Sequence, residues 1–293
     1  MKIVRSESDE TEAAAEPRAG RPIDRALAEE AEAARDPALV DTLARFANGP
    51  LRDWHRAEVR GLDAVPTGPL LFVGNHNAGT ATPDTWIALG ALYAKRGLAG
   101  TPFGLAHGTV RSAPLIGPLL ARMGAVPASH DHARSLFAAG HQVLVYPGGD
   151  AEAMRPFRDR DRIRFAGRRG YIRLALLAGV PVVPLVAAGA HSTLVVISDL
   201  PWLARALGVD RRFRLTVFPL ALSIPWGLTL GPLPPYVPWP SRILIEALPA
   251  VHFARAGQAA ADDETYVAQC ADHVEALMQA ALTRLAAERR ATG

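Results

Sequence analysis

Between residues 70 and 187, apolar runs of strand length alternate with stretches that carry helical spacing, and this alternation restricts the possible folds more than any other feature of the chain. The runs are "LLFVG" (70–74), "TPFGLA" (101–106), "QVLVYP" (142–147) and "VPVVPLVA" (180–187), followed by "RLTVF" (214–218) and "ILIEAL" (243–248). Helices are predicted between the first four runs, at 84–96, 113–122, 131–140 and 168–178, the last closed by Gly179 as a C-cap. Strands joined by helices build layers around a sheet covered on both faces, which suits runs that are apolar throughout. The predicted fold class is therefore α/β: a single layered domain with a central, mostly parallel sheet flanked by helices, plus N- and C-terminal amphipathic helices. A chain of 293 residues, 49% hydrophobic, has the material for one such core.

The ends of the chain read differently. "MKIVRSESDETEAAAEPRAG" is charged, biased to Ala, Pro and Gly, and without apolar period, as expected of a disordered tail; lacking an apolar core segment, it is not a secretory signal. Asp36-Pro37 is a cap and first-turn pair, and Leu39, Val40, Leu43 and Phe46 follow at helical spacing until "NGP" stops the run. Near the other end, Val267, Cys270, Val274, Leu277, Ala281 and Leu285 form an apolar stripe on a closing amphipathic helix. The segment 215–240, "LTVFPLALSIPWGLTLGPLPPYVPWP", is apolar but holds seven prolines and cannot run as one helix. It is either a membrane-facing surface or a proline-stiffened cover on the sheet.

Composition narrows the functional classes. The single cysteine, Cys270, excludes an internal disulfide and a cysteine-based metal site, which fits a reducing cytoplasm. A formal charge of +3 suits an anionic membrane surface or an acidic co-substrate, and no nucleic-acid motif accompanies it. There is no G-x-S-x-G elbow, no phosphate-binding G-x-x-x-x-G-K-[ST] loop and no H-E-x-x-H zinc helix. "HDH" at 130–132 reads as a helix start capped by Ser129 or Asp131 rather than as a metal site.

In parallel sheets, sites gather beyond the carboxyl ends of strands. Two stretches stand there. "NHNAGTATPD" follows the run at 70–74 and places His76 ahead of Asp84, which opens a helix after Pro83. A carboxylate that orients an imidazole and stabilises its charged form makes it a general base, while a strand-end histidine and a helix cap would leave the same pattern. "PGGDAEAMR" follows the run at 142–147, and its glycines, Gly148 and Gly149, can bring backbone N–H groups close to a ligand.

The order of these stretches resembles the four-block pattern of the glycerolipid acyltransferase family, whose best-known members are the lysophosphatidic acid acyltransferases. The blocks are "NH…D", then "HGTVRSAPLIGPLLARMGAVPA", then "LVYPGGDAE", then "AGVPVVPLV", and the likeness covers roughly residues 65–195. The family usually separates its histidine and aspartate by four residues; here seven lie between His76 and Asp84. Its third block is typically Phe-Pro-Glu-Gly-Thr-Arg, whereas this chain has Tyr146-Pro147-Gly148-Gly149-Asp150. Both departures look more like the branch related to diacylglycerol acyltransferases, whose acceptors can be neutral.

Together with the composition and spacing at the chain's ends, this gives an expected tail over 1–20, an N-terminal helical segment over 21–50, an acyltransferase domain over 51–255 and a C-terminal helix over 256–293. The resemblance implies an acyl transfer site in that domain. It implies His76 and Asp84 as catalytic residues, with Asn75, Arg111, Gly148, Gly149, Glu152 and Arg155 as candidates for binding substrate or stabilising the oxyanion. The expected partners are an acyl-CoA or acyl carrier protein as co-substrate, a lipid acceptor and the membrane surface, with no cofactor, no metal and no nucleic acid. The expected location is cytoplasmic, on the inner face of the membrane. Two other readings remain: a non-catalytic lipid-binding module on the same fold, and a metal-dependent hydrolase using His76, Asp84 and the "HDH" cluster.

Overall fold

A computed structural model of the chain describes residues 3–4, 22–106, 108, 114, 116–213 and 215–292. Its strands are β1 (Glu58–Arg60), β2 (Leu71–Gly74), β3 (Phe103–Ala106), β4 (Ala125–Pro127), β5 (Val143–Val145), β6 (Val182–Ala188), β7 (Val195–Ser198), β8 (Leu220–Ser223), β9 (Gly227–Leu230) and β10 (Leu244–Ala247). Seven of them form the central sheet in the order β1-β10-β6-β2-β5-β3-β4, and β7-β8-β9 form a separate antiparallel sheet. Every pairing in the central sheet is parallel except β10 against β6. The fold is the expected α/β arrangement of a single domain.

The core lies on both faces of that sheet because successive strand residues point to opposite sides. Leu70 and Phe72 pack with Ile87 and Leu92 of the helix Pro83–Arg96, while Leu71 and Val73 pack with Val274, Met278 and Leu282 of the helix Glu264–Ala291. Complete burial of one such side chain contributes roughly 1.5–3 kcal/mol, so a slip of one residue would turn two full sets of contacts the wrong way. All seven residues of β6 are buried, which accounts for its uninterrupted apolar sequence.

Several local features depart from the expected pattern, and others follow it. Asp36 caps the helix Pro37–Phe46 by accepting from the N–H groups of Ala38 and Leu39, but "NGP" does not stop the chain's winding: residues Ala47–Leu51 continue as a π-helical turn. Leu277, expected on the core stripe, is 38% exposed, and Met278 is buried in the core, while Cys270 is fully buried as expected. "RLTVF" is not a strand over its described residues, 215–218, because the N–H and hydroxyl of Thr216 both go to Asp150 Oδ2; pairing starts only after Pro219, at β8. Most of the expected tail lies outside the described residues; of it, Val4 bridges Phe253 and packs on the core. Gly179 closes the helix Gly170–Ala178 in the left-handed conformation, φ +66°, as its position predicts. No described helix is long and apolar enough to cross a membrane.

Candidate active site

The carboxyl ends of three adjacent strands, β6, β2 and β5, lead into three loops that meet. β2 leads to Asn75-His76-Asn77, β5 to Tyr146 and the turn at Gly148-Gly149, and β6 to Gly189 and His191. Asn75 clamps the first loop to β6: its Oδ1 accepts from Ala187 N–H at 2.9 Å and its Nδ2 donates to Ala187 O at 3.0 Å. Its side chain, expected near substrate, is thus occupied in extending the sheet.

The long separation between His76 and Asp84 is taken up by backbone winding. Ala78, Gly79 and Thr82 all have left-handed φ, at +51°, +54° and +38°. For the two non-glycine residues this conformation costs of order 1–3 kcal/mol each and persists only where neighbours enforce it. The loop folds back so that Asn77, the residue after His76, donates from Nδ2 to Asp84 Oδ2 at 2.7 Å. Asp84 lies in the first turn of the helix Pro83–Arg96, where the dipole favours a carboxylate.

His76 and Asp84 are not joined by a hydrogen bond. His76 Nδ1 and Asp84 Oδ1 are each buried and each without a partner. A buried polar atom left unpaired costs about 1–3 kcal/mol, so two of them at one strand end mark a site held ready rather than one fully satisfied. Burial, with the nearby charge of Arg155, pushes the His76 imidazole down to about 4, against some opposition from the Asn77 carbonyl. Burial pushes the Asp84 carboxyl up to about 6, and the Asn77 hydrogen bond moderates that rise. The imidazole is therefore neutral at pH 7, the form a general base requires.

Glu152 and Arg155 hold the histidine loop from below. Both are fully buried. Glu152 Oε2 accepts from the backbone N–H of His76 at 2.9 Å, and its Oε1 accepts from Arg164 N–H at 3.0 Å. Arg155 donates from Nη1 to His76 O and Glu152 O, from Nη2 to Asn77 Oδ1 and Arg160 O, and from Nε to Asp159 O. All five N–H groups of the guanidinium are engaged. The sequence makes these two residues candidates for binding substrate; in the structure both side chains are buried and their polar atoms are bonded to the chain around His76. Gly148 lies against Glu152: a Cβ there would sit 2.3 Å from both Cβ and Oε2 of the glutamate, which is why this turn carries glycine. Gly149, at φ +53°, donates its N–H to Tyr146 O, so that donor is already in use. Arg111 lies outside the described residues.

Four residues at the site were not singled out as site residues by sequence reasoning. Asn77 bridges His76's loop to Asp84. His191, buried, accepts from Ala78 N–H at Nδ1 and bonds Arg155 O through Nε2 at 2.8 Å, which makes it a neutral tie with its proton on Nε2. Tyr146 lays its ring 4.9 Å from that of His76, centroid to centroid, and its hydroxyl hydrogen-bonds Thr85 beside Asp84. Tyr236, from the proline-rich segment, donates to Ala78 O. The visible signals in sequence were the asparagines flanking His76 and the place of Tyr146 at the head of the Pro-Gly-Gly turn. "HDH" opens the helix His130–Ala138 with Ser129 as its cap, accepting from His132 N–H.

Residues 56–188 match the Acyltransferase family. An uncharacterized protein of Mycobacterium tuberculosis is 30% identical over 254 residues, covering 86% of this chain and 67% of that one. A human protein described as a DGAT1/2-independent enzyme synthesizing storage lipids is 27% identical over 145 residues, 49% of this chain and 43% of its own. Among solved structures, the 1-acyl-sn-glycerophosphate acyltransferase PlsC of Thermotoga maritima superposes with a TM-score of 0.50 at 16% identity, covering 84% of this chain and 79% of that one, which is a likeness of fold.

Proposed function

The chain belongs to the acyltransferase family, and on that premise we propose that it moves a fatty acyl group from an acyl-CoA or acyl carrier protein to a hydroxyl of a glycerolipid-type acceptor, with His76 as general base and Asp84 as its partner. The observation that carries this reading is the pair of buried, unpartnered atoms, His76 Nδ1 and Asp84 Oδ1, on one strand end and the helix that follows it. On this reading the two atoms pair when the acceptor is bound. His76 Nε2 takes the proton of the acceptor hydroxyl as that oxygen attacks the thioester carbonyl, and Asp84 stabilises the imidazolium. Collapse of the tetrahedral adduct expels the thiolate, which recovers the proton from His76. No covalent enzyme intermediate is required. Cys270 is far from this chemistry in character: fully buried, its thiol is pushed up to about 11 and stays protonated.

The acceptor is read as neutral. Arg155, one of the charged residues that the sequence offers for an acidic head group, has all its donors engaged inside the protein. The relatives named for storage-lipid synthesis point the same way. On this reading the enzyme works at the inner face of the membrane. The test is an acyl-CoA panel against monoacylglycerol, diacylglycerol and lysophosphatidic acid, following free thiol and lipid product. Transfer to the neutral acceptors over lysophosphatidic acid is expected. Intact CoA with every acceptor, alongside binding of the lipids, would instead favour a lipid-binding module.

The acid limb of the pH profile follows from Asp84. Its carboxyl, raised to about 6, takes up a proton as pH falls through that value and can no longer balance an imidazolium. Hence kcat/KM should be flat near neutrality and fall about tenfold per pH unit below pH 6. In Asp84→Asn that limb should disappear from a much lower plateau. Rates measured from pH 5 to 8 decide the point; an unchanged limb in the variant would assign the titration to another group.

A further inference from the structure

We infer that the front face of the β7-β8-β9 sheet, with the hairpin tip at Trp226, is the surface by which this protein docks on a lipid bilayer. The inference rests on the lipid-acceptor reading above and adds to it the face that meets the membrane. In the hairpin, Leu220 pairs across from Leu230 and Leu222 from Leu228, so all four leucines share one face. Leu222, Leu228 and Leu230 are 40%, 64% and 57% exposed, whereas Ala221 and Ser223 on the other face are buried. Ile197 on β7 and Trp226, Val237 and Trp239 in the segment 215–240 are also exposed, as are Trp202 and Leu207 on and just after the helix Pro201–Ala206. Scattered exposed leucines need no explanation; cross-strand pairs of them, in a sequence with no charged residue from 215 to 240, do.

Three observations select a bilayer as the occupant. First, three polar groups around the patch are bonded within the protein, Trp226 Nε1 donating to Pro235 O at 2.8 Å, Thr229 Oγ1 to Ala221 O and Val237 N–H to Ile224 O, while Ser223 Oγ, which has no partner, is buried on the opposite face. A surface that enters the hydrocarbon boundary must be satisfied in this way. Second, Arg205 and Arg211 are exposed on the two short helices that join β7 to β8, next in the chain to Trp202 and Leu207, and this pairing of cations with aromatic and aliphatic side chains complements anionic head groups. Third, the opposite face of the same sheet is packed on the histidine loop. Ala78 shares an apolar cluster with Val196, Ala221 and Tyr236, and Tyr236 donates to Ala78 O. Docking through the front face therefore leaves the histidine loop one sheet layer from the membrane that holds the acceptor.

The full chain should co-sediment with vesicles of phosphatidylcholine, more strongly when phosphatidylglycerol is added and less so at high salt. Leu228→Thr/Leu230→Thr keeps strand-forming residues but should lower the partition coefficient about tenfold or more, given the apolar area each leucine would bury. Leu277→Thr, an exposed leucine on the C-terminal helix, should leave it unchanged. Independently of any variant, vesicles with brominated acyl chains should quench the tryptophan fluorescence of the wild-type protein. The proposal is overturned by wild-type protein that stays in the supernatant, by a double variant that sediments as well as wild type, or by light scattering that shows a wild-type dimer dissolved by the double substitution. Binding is read without turnover, so an inactive protein that docks refutes the acyl-transfer reading alone, and an active one that does not dock refutes only this surface.

Discussion

His76→Ala is expected to lower kcat for acyl transfer about a hundred- to ten-thousand-fold, the range that a positioned base contributes, with little change in melting temperature. The reason for the unchanged fold is specific to this loop. It is held by the backbone of His76, whose N–H donates to Glu152 and whose carbonyl accepts from Arg155, and not by the imidazole. Removing the ring forfeits its contact with Tyr146 and leaves those bonds in place. Thermal melts and steady-state kinetics on the same preparation check both halves. A variant that retains kcat within about threefold of wild type would remove His76 from the chemistry, and one that loses activity only in proportion to lost folding would make the histidine structural.

What could be read from sequence, and what could not, divides along physical lines. The central sheet was legible because parallel strands buried on both faces leave long apolar runs, and β2, β5 and β6 are such runs. The position of His76 beyond β2 followed directly. The short strands β1 and β4 left too few residues for a pattern, and β8 is bounded by Pro219 and Pro225, which masked a hairpin as a loop. Charge misled most at Glu152 and Arg155. Alternating charges on a short helix after a glycine turn resemble a ligand site, and sequence does not reveal that the acceptors waiting for the guanidinium are carbonyls of the chain itself. Seven residues between His76 and Asp84 looked like an obstacle for a related reason. Left-handed turns at Ala78 and Thr82, in residues that rarely adopt them, are not written in residue type.

Arg155→Met tests that buried support and is the substitution expected to cost the most stability. Methionine fills much of the volume but removes five donors, leaving His76 O, Asn77 Oδ1 and the carbonyls of Glu152, Asp159 and Arg160 without them. It also removes the positive charge that opposes the upward push of burial on Glu152's carboxyl. Breaking a buried charged network at one member typically costs about 3–5 kcal/mol, which for a domain of this size corresponds to a melting temperature lower by on the order of 10 °C. Arg155→Lys should fall between, since an ammonium restores the charge and at most three donors, without the planar fork. The pattern of kinetics separates support from recognition. A residue that grips the acceptor would raise KM at constant melting temperature when changed, whereas one that positions the histidine should lower melting temperature and kcat together, with the lysine variant recovering part of both. Unaltered stability with a raised KM for an anionic acceptor would return Arg155 to the substrate side of the site, and with it the phosphate-bearing acceptors that its burial argues against.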